Sequence, residues 1–291
     1  TFFLSMVNES FRPANSTAIA KYSTPQNRTQ AYSVVRLAIN VGWGVGSALG
    51  GILASIDYHW LFWVDGCTNI AAAILLISIL PRVKSGTRYA TESKQTAPVH
   101  KPYHDRIFMY FLGLQICFAL CFFQLFTTVP LYFKEGLQLK ESVIGILMAA
   151  NGILIALVEM VLVFSLEGRR PYLFLMGIGT LLMALTYLLL NATFLSGVVI
   201  GILFIIVITV AEMVSMPFMN SFYISRSAEH NRGQYAGMYT MAWSTAQVIG
   251  SACGAWAASH FGFINLWWMV GLICTATAFG YFRLQRALMR S

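Results

Sequence analysis

The sequence predicts an all-α integral membrane fold: two six-helix bundles related by a pseudo-twofold axis, with nine of the twelve helices in this chain. Three observations lead there: the composition, a series of apolar runs whose connections alternate in charge, and an internal repeat. The 291 residues are 57% hydrophobic and 10% charged, with a mean hydropathy of +0.67. Soluble domains run about 45–50% apolar and about 25% charged, so a large soluble domain is excluded. The five cysteines (Cys67, Cys117, Cys121, Cys253, Cys274) stand in apolar segments without a C-x-x-C pair. That pattern speaks against a disulfide framework or a zinc site, and neither metal nor cofactor is expected.

A hydrocarbon core of about 30 Å takes roughly 20 apolar residues per helix. Runs of that kind lie at 1–21, 34–55, 60–80, 106–132, 142–165, 171–191, 196–223, 234–259 and 263–282. The first opens at Thr1 without a basic n-region, which argues against a signal peptide and suggests a longer sequence upstream. Of the 19 basic residues, sixteen fall in alternate connections and the tail: Lys21, Arg28, Arg36, the six from Arg82 to Arg106, Arg169, Arg170, Arg226, Arg232, Arg283, Arg286 and Arg290. The other connections hold only Lys134 and Lys140, and Arg12 lies inside a span. The positive-inside rule makes the first set cytoplasmic and places the C-terminus there. The net charge of +8 is thereby a topology signal, and nucleic acid has no support as a partner. The polar stretch 81–105 reads as a flexible cytoplasmic linker between a bundle over 1–80 and one over 106–291.

Shifting the chain by 204 residues lays Pro13 on Pro217, Asn27-Arg28-x-Gln30 on Asn231-Arg232-x-Gln234, and Gly46, Gly50 and Trp63 on Gly250, Gly254 and Trp267. The polar N-R-x-Q in a loop is not a by-product of membrane composition. The offset is six spans, so both copies cross in one direction. Parallel repeats about an axis along the membrane normal organise one large transporter class. By the same arithmetic, about three spans are expected upstream of Thr1.

Several motifs resemble those of the major facilitator superfamily. Arg12-Pro13-Ala14-Asn15-Ser16-Thr17-Ala18-Ile19-Ala20 is similar to its R-x-x-Q-G-x-G-A-A motif in helix 4. Gly42, Gly46, Gly50 and Gly51 resemble the G-x-x-x-G-P-x-x-G-G motif of proton-coupled efflux antiporters, with Ser47 at its proline. Gly168-Arg169-Arg170 resembles the end of the loop motif G-x-L-A-D-R-x-G-R-K. Glycines four apart also make a flat helix stripe, which serves either static packing or a sliding seam between bundles; Gly250 and Gly254 supply the counterpart. The G-R-R turn is explained by topology or by gating.

Ionisable groups inside the bilayer cost at least about 2.5–3.5 kcal/mol each on insertion scales, so each demands a reason. Glu9 and Arg12 share a helix face and pair either to pack the bundle or to line a cavity. Glu212 stands alone near the middle of its span, and the repeat maps it onto Asn8, which shares a face with Arg12. It is thus expected to face the central cavity and to bind and release a proton, with cation recognition or a structural role as alternatives. Glu159 lies about two turns from a cytoplasmic end, as a proton relay or a snorkelling acid. Gln115, Gln124, Asn151 and Asn220 are expected to add cavity hydrogen bonds, and some of the Phe and Met residues an adaptable apolar wall.

The resemblance implies a secondary transporter working by alternating access in the plasma membrane, as a monomer whose partners are a small-molecule substrate, protons and lipid. Efflux of amphipathic compounds against protons is expected, and a proton-coupled importer of a sugar, organic acid or peptide is the alternative. A non-transporting sensor is a further one. A membrane-embedded enzyme is not expected, since no nucleophile, metal or acid–base cluster is present in the sequence.

Overall fold

A computed structural model describes residues 27–79, 102–192, 195–228 and 231–289, with positions 19, 23 and 24. The expected first span, with Asn8, Glu9 and Arg12, lies outside the described residues, as does most of the linker. The described elements are all helical. They are α1 (Arg28–Ile56), α2 (Tyr58–Ile79), a 3-10 turn (Pro102–His104), α3 (Arg106–Phe122), a second 3-10 turn (Phe123–Phe126), α4 (Thr128–Glu135), α5 (Glu141–Leu166), α6 (Tyr172–Leu189), α7 (Gly197–Arg226) and α8 (Arg232–Leu288).

Among the described residues, six helical stretches are long and apolar enough to cross a membrane. They absorb seven of the expected spans, because the 57-residue α8 contains two of them. Its break is Gly262, whose φ of 78° and ψ of 163° are not helical; a positive φ is readily adopted only without a Cβ. The eighth expected span is α1, which carries Arg28 and Arg36 among its polar residues.

Contacts gather the chain into two compact units, one of residues 1–40 with 100–291 and one of residues 41–99. In the second unit, Asp57 opens α2, accepting the His59 N–H at 2.9 Å and meeting the His59 ring at 2.8 Å. These hydrogen bonds, the backbone one foremost, hold its carboxyl below the ordinary carboxylate range. The apolar residues that follow are exposed, Phe62, Trp63 and Ile77 at 70% or more. Such a surface suits hydrocarbon, not water.

In the first unit, α6 packs on α7 and α8, α3 on α8, and α5 on α7. Helix α6 approaches α7 closely at Gly179, where a Cβ would collide with the Ala211 carbonyl and Ser215 of α7. The expected linker needs a correction at its end. Pro102 and Asp105 are buried, and Asp105 caps α3 by accepting the N–H groups of Ile107 and Phe108, each at 3.1 Å. Arg226 clamps the same carboxylate, Nη2 to Oδ1 at 2.8 Å and Nε to Oδ2 at 3.0 Å, and the Tyr235 hydroxyl donates to it at 3.2 Å. One acid therefore ties the starts of α3 and α8 to the end of α7, a geometry that a planar guanidinium matches.

The internal repeat has a structural counterpart. Asn27 Oδ1 accepts the Thr24 N–H at 2.7 Å just before α1, and Asn231 Oδ1 accepts the Ala228 N–H at 2.8 Å just before α8. Both pairs are related by the same 204-residue shift. Asparagine is used because its short amide can bond to the backbone three residues away and start a helix.

Helix α3 stops where Gln124 turns inward. Its Nε2 donates to the Leu120 carbonyl at 3.0 Å and to the Gly250 carbonyl of α8 at 2.8 Å, while Oε1 accepts the Thr128 hydroxyl at 2.8 Å. A Cβ at Gly254 would overlap that amide. Gly254→Ala is accordingly expected to displace Gln124, leave the Gly250 carbonyl unpaired and lower stability by about 1–3 kcal/mol. Thermal melting in detergent is the check, and wild-type melting would refute the assignment.

Candidate functional site

The charged site forms around Arg36. From its sequence position this residue reads as a cytoplasmic loop charge, but α1 begins at Arg28 and carries Arg36 two turns into the helix. Its Nη2 donates to Glu212 Oε2 at 2.9 Å, and Nη1 lies 3.3 Å from Glu159 Oε2 and from the Glu212 backbone carbonyl. The Glu159 and Glu212 side chains are only 2% and 3% exposed, and that of Arg36 is 16% exposed.

Helix geometry explains the meeting. At 1.5 Å per residue, Arg36 stands about 12 Å from the start of α1, and Glu159 about 11 Å from the end of α5. Both ends belong to the expected cytoplasmic side. Glu212 is about 21 Å from the end of α7, and the long arginine side chain covers the difference. Asn151, two turns before Glu159 on α5, donates Nδ2–H to Glu212 Oε1 at 3.0 Å and to the Thr209 hydroxyl at 2.9 Å. Glu212 is thus held by charge from one side and by an amide from the other. Glu159 is less supported: Ser33 of α1 interacts with it, yet neither carboxylate oxygen accepts a hydrogen bond of good geometry.

Glu159, Glu212 and Asn151 therefore come together as one site. The expected isolation of Glu212 is corrected, because its partner is Arg36. Glu9, Arg12 and Asn8 lie outside the described residues. Gln115 is buried and donates to the Tyr239 carbonyl at 3.3 Å, and Gln124 braces the α3 break. Asn220 bonds back to its own helix at the Met216 carbonyl, 3.3 Å away. These three hold backbone together and do not join the charged cluster.

The glycines divide as well. Gly250 and Gly254, read as either static packing or a sliding seam, pack on Leu120 of α3 and on Gln124 of the 3-10 turn that follows it, inside their own unit. Among the described residues no atom lies within 4 Å of where a Cβ would stand on Gly42 or Gly46, and the surroundings of Gly50 and Gly51 lie outside the described residues. Gly168 turns the chain after α5 with φ of 75°, beside the exposed Arg169 and Arg170. Arg170 stacks over Phe174 at 5.9 Å. The expected apolar wall is partly a packed core: Met213 and Met219 are buried, and Phe118, Phe122 and Phe123 set their rings edge-on to Trp243 at 5.8–6.3 Å.

These observations define a multi-pass helical membrane protein with ionisable side chains buried among apolar helices. The chain belongs to the Major Facilitator Superfamily, whose family model matches residues 1–251. It is 24% identical over 253 residues to the uncharacterized MFS-type transporter YttB of Bacillus subtilis (strain 168), covering 85% of this chain and 62% of that protein. It is 23% identical over 273 residues to a Na(+), Li(+), K(+)/H(+) antiporter of Planococcus maritimus, covering 84% of this chain and 63% of the antiporter. The chain thus spans a little under two thirds of these relatives. Among solved structures it is similar to a bacterial homologue of the iron transporter ferroportin in the outward-facing state. There the TM-score is 0.65 and identity 16%, over 92% of this chain and 66% of that one.

Removing Arg36 strands two buried carboxylates. Breaking a buried ion pair costs about 3–5 kcal/mol, so Arg36→Ala is expected to destabilise the protein by that amount. Arg36→Lys restores charge but not the two-armed contact and should recover only part of it. Melting curves of the purified variants test this, and an Arg36→Ala protein as stable as wild type would overturn it.

Proposed function

We propose that this facilitator-family transporter is a secondary active exporter of amphipathic or hydrophobic small molecules, driven by inward proton movement through alternating access. The observation that carries the reading is the guanidinium of Arg36 held between Glu159 and Glu212. In this reading residues 1–80 and 106–291 belong to the two bundles, so the cluster clasps them together on the cytoplasmic half. A proton arriving from outside on Glu212 loosens the clasp, since a neutral carboxylic acid no longer attracts Arg36. The cytoplasmic side then opens, and proton release restores the pair. Arg36 takes the coupling role that the sequence reading gives to Arg12. The protein sits in the plasma membrane as a monomer with its C-terminus in the cytoplasm.

A second reading is antiport of monovalent metal cations against protons. Two observations favour it: the buried pair of carboxylates, and the likeness to the Planococcus antiporter.

Everted membrane vesicles containing the full-length protein separate the possibilities, with ethidium as a lipophilic cationic probe and sodium chloride as the inorganic one. Proton-driven ethidium transport that falls to background in Glu212→Gln, with the variant folded, is the expected result. Wild-type transport by that variant would remove Glu212 from coupling. A pH gradient dissipated by sodium and unaffected by ethidium would select the second reading.

A further inference from the structure

We infer that the Arg36, Glu159 and Glu212 cluster is a single-proton site: one exchangeable proton is shared by the two carboxyls, and the guanidinium of Arg36, the one that meets them among the described residues, sets that number. The inference deepens the proposed function and rests on its placing this cluster on the proton path.

Two buried carboxylates face one guanidinium, so with both acids ionised one negative charge is left over. The helices packed around the cluster offer nothing among the described residues to cancel it. The other titratable groups turned towards it are the phenols of Tyr187 on α6 and Tyr239 on α8, which are uncharged at ordinary pH. Tyr187 donates its hydroxyl to the Cys121 carbonyl at 2.7 Å, as a neutral phenol does. An unbalanced charge in an apolar interior is neutralised more readily than it is tolerated, and the simplest neutraliser is one proton, converting one carboxylate to a carboxylic acid.

The geometry has a place for it. Both Glu212 oxygens already accept N–H donors, one from Arg36 and one from Asn151. Neither Glu159 oxygen has a well-formed hydrogen bond, and its polar neighbours are Arg36 and Ser33, so the second carboxyl is the less firmly held of the two that share the proton. The repeat does not duplicate the arrangement: the 204-residue shift lays Arg36 on Thr240 and Glu212 on Asn8. The charge imbalance is a property of this one cluster.

The rule makes the proton count a function of side-chain charge, which infrared spectroscopy reads directly. The full-length protein in lipid nanodiscs is titrated from neutral to alkaline pH, where exposed acids are already ionised, and loss of the carboxylic-acid C=O band is measured. Wild type should lose the intensity of one carboxyl. Glu159→Gln and Glu212→Gln should lose none, because the remaining acid is balanced by Arg36. Arg36→Gln should double the wild-type loss, and the Arg36→Gln/Glu159→Gln double variant should return it to one. That double variant also guards against misfolding as the cause of a lost band.

An unchanged band in Glu159→Gln, or a wild-type count in Arg36→Gln, would overturn the inference. The measurement does not depend on flux. Variants that obey the count while wild type moves neither probe would sink the transport reading and leave the single-proton site standing.

Discussion

The electrostatics of a guanidinium between two acids in an apolar interior governs much of what the first unit does. Arg36 reaches its partners because α1, α5 and α7 bring them to compatible depths. Without it, Glu159 and Glu212 would be two like charges surrounded by hydrocarbon side chains, a state that costs about 3–5 kcal/mol, a large fraction of the net stability of a folded domain. With it, two acids share one guanidinium among the described residues.

Around this cluster the unit is held by polar contacts that each satisfy a particular backbone or charge requirement. Asp105 caps α3 and receives Arg226 and Tyr235, so three helix ends meet on one carboxylate. Gln124 ends α3 and spends its amide on two carbonyls, a position that only a glycine at 254 leaves open. The paired asparagine turns at 27 and 231 begin α1 and α8 in the same way. The first of those turns fixes where α1 starts, and hence how deeply Arg36 is carried.

The membrane class, the apolar runs and the repeat are legible in the sequence because each is a property of local composition or of order along the chain. Glu159, Glu212 and Asn151 are legible as candidates for a related reason: a polar side chain in a long apolar run is conspicuous by itself. Their common partner is not. Arg36 lies near the edge of a run, in a stretch whose basic residues have a sufficient explanation in topology. Symmetry also points elsewhere, towards Arg12, since the repeat carries no information about contacts that break it. The glycines at 250 and 254 show the same limit: their spacing announces a close approach, but not which helix approaches.

The sequence alone thus determined the all-helical membrane class, the direction of each crossing as an expectation from charge, and the acids worth explaining. Tertiary structure decided the pairing. A side chain's burial cost is written in its own chemistry and in the hydrophobicity of its neighbours along the chain. The charge that relieves the cost at Glu159 and Glu212 comes from a helix well over one hundred residues away in sequence, and only folding brings it within 3.3 Å.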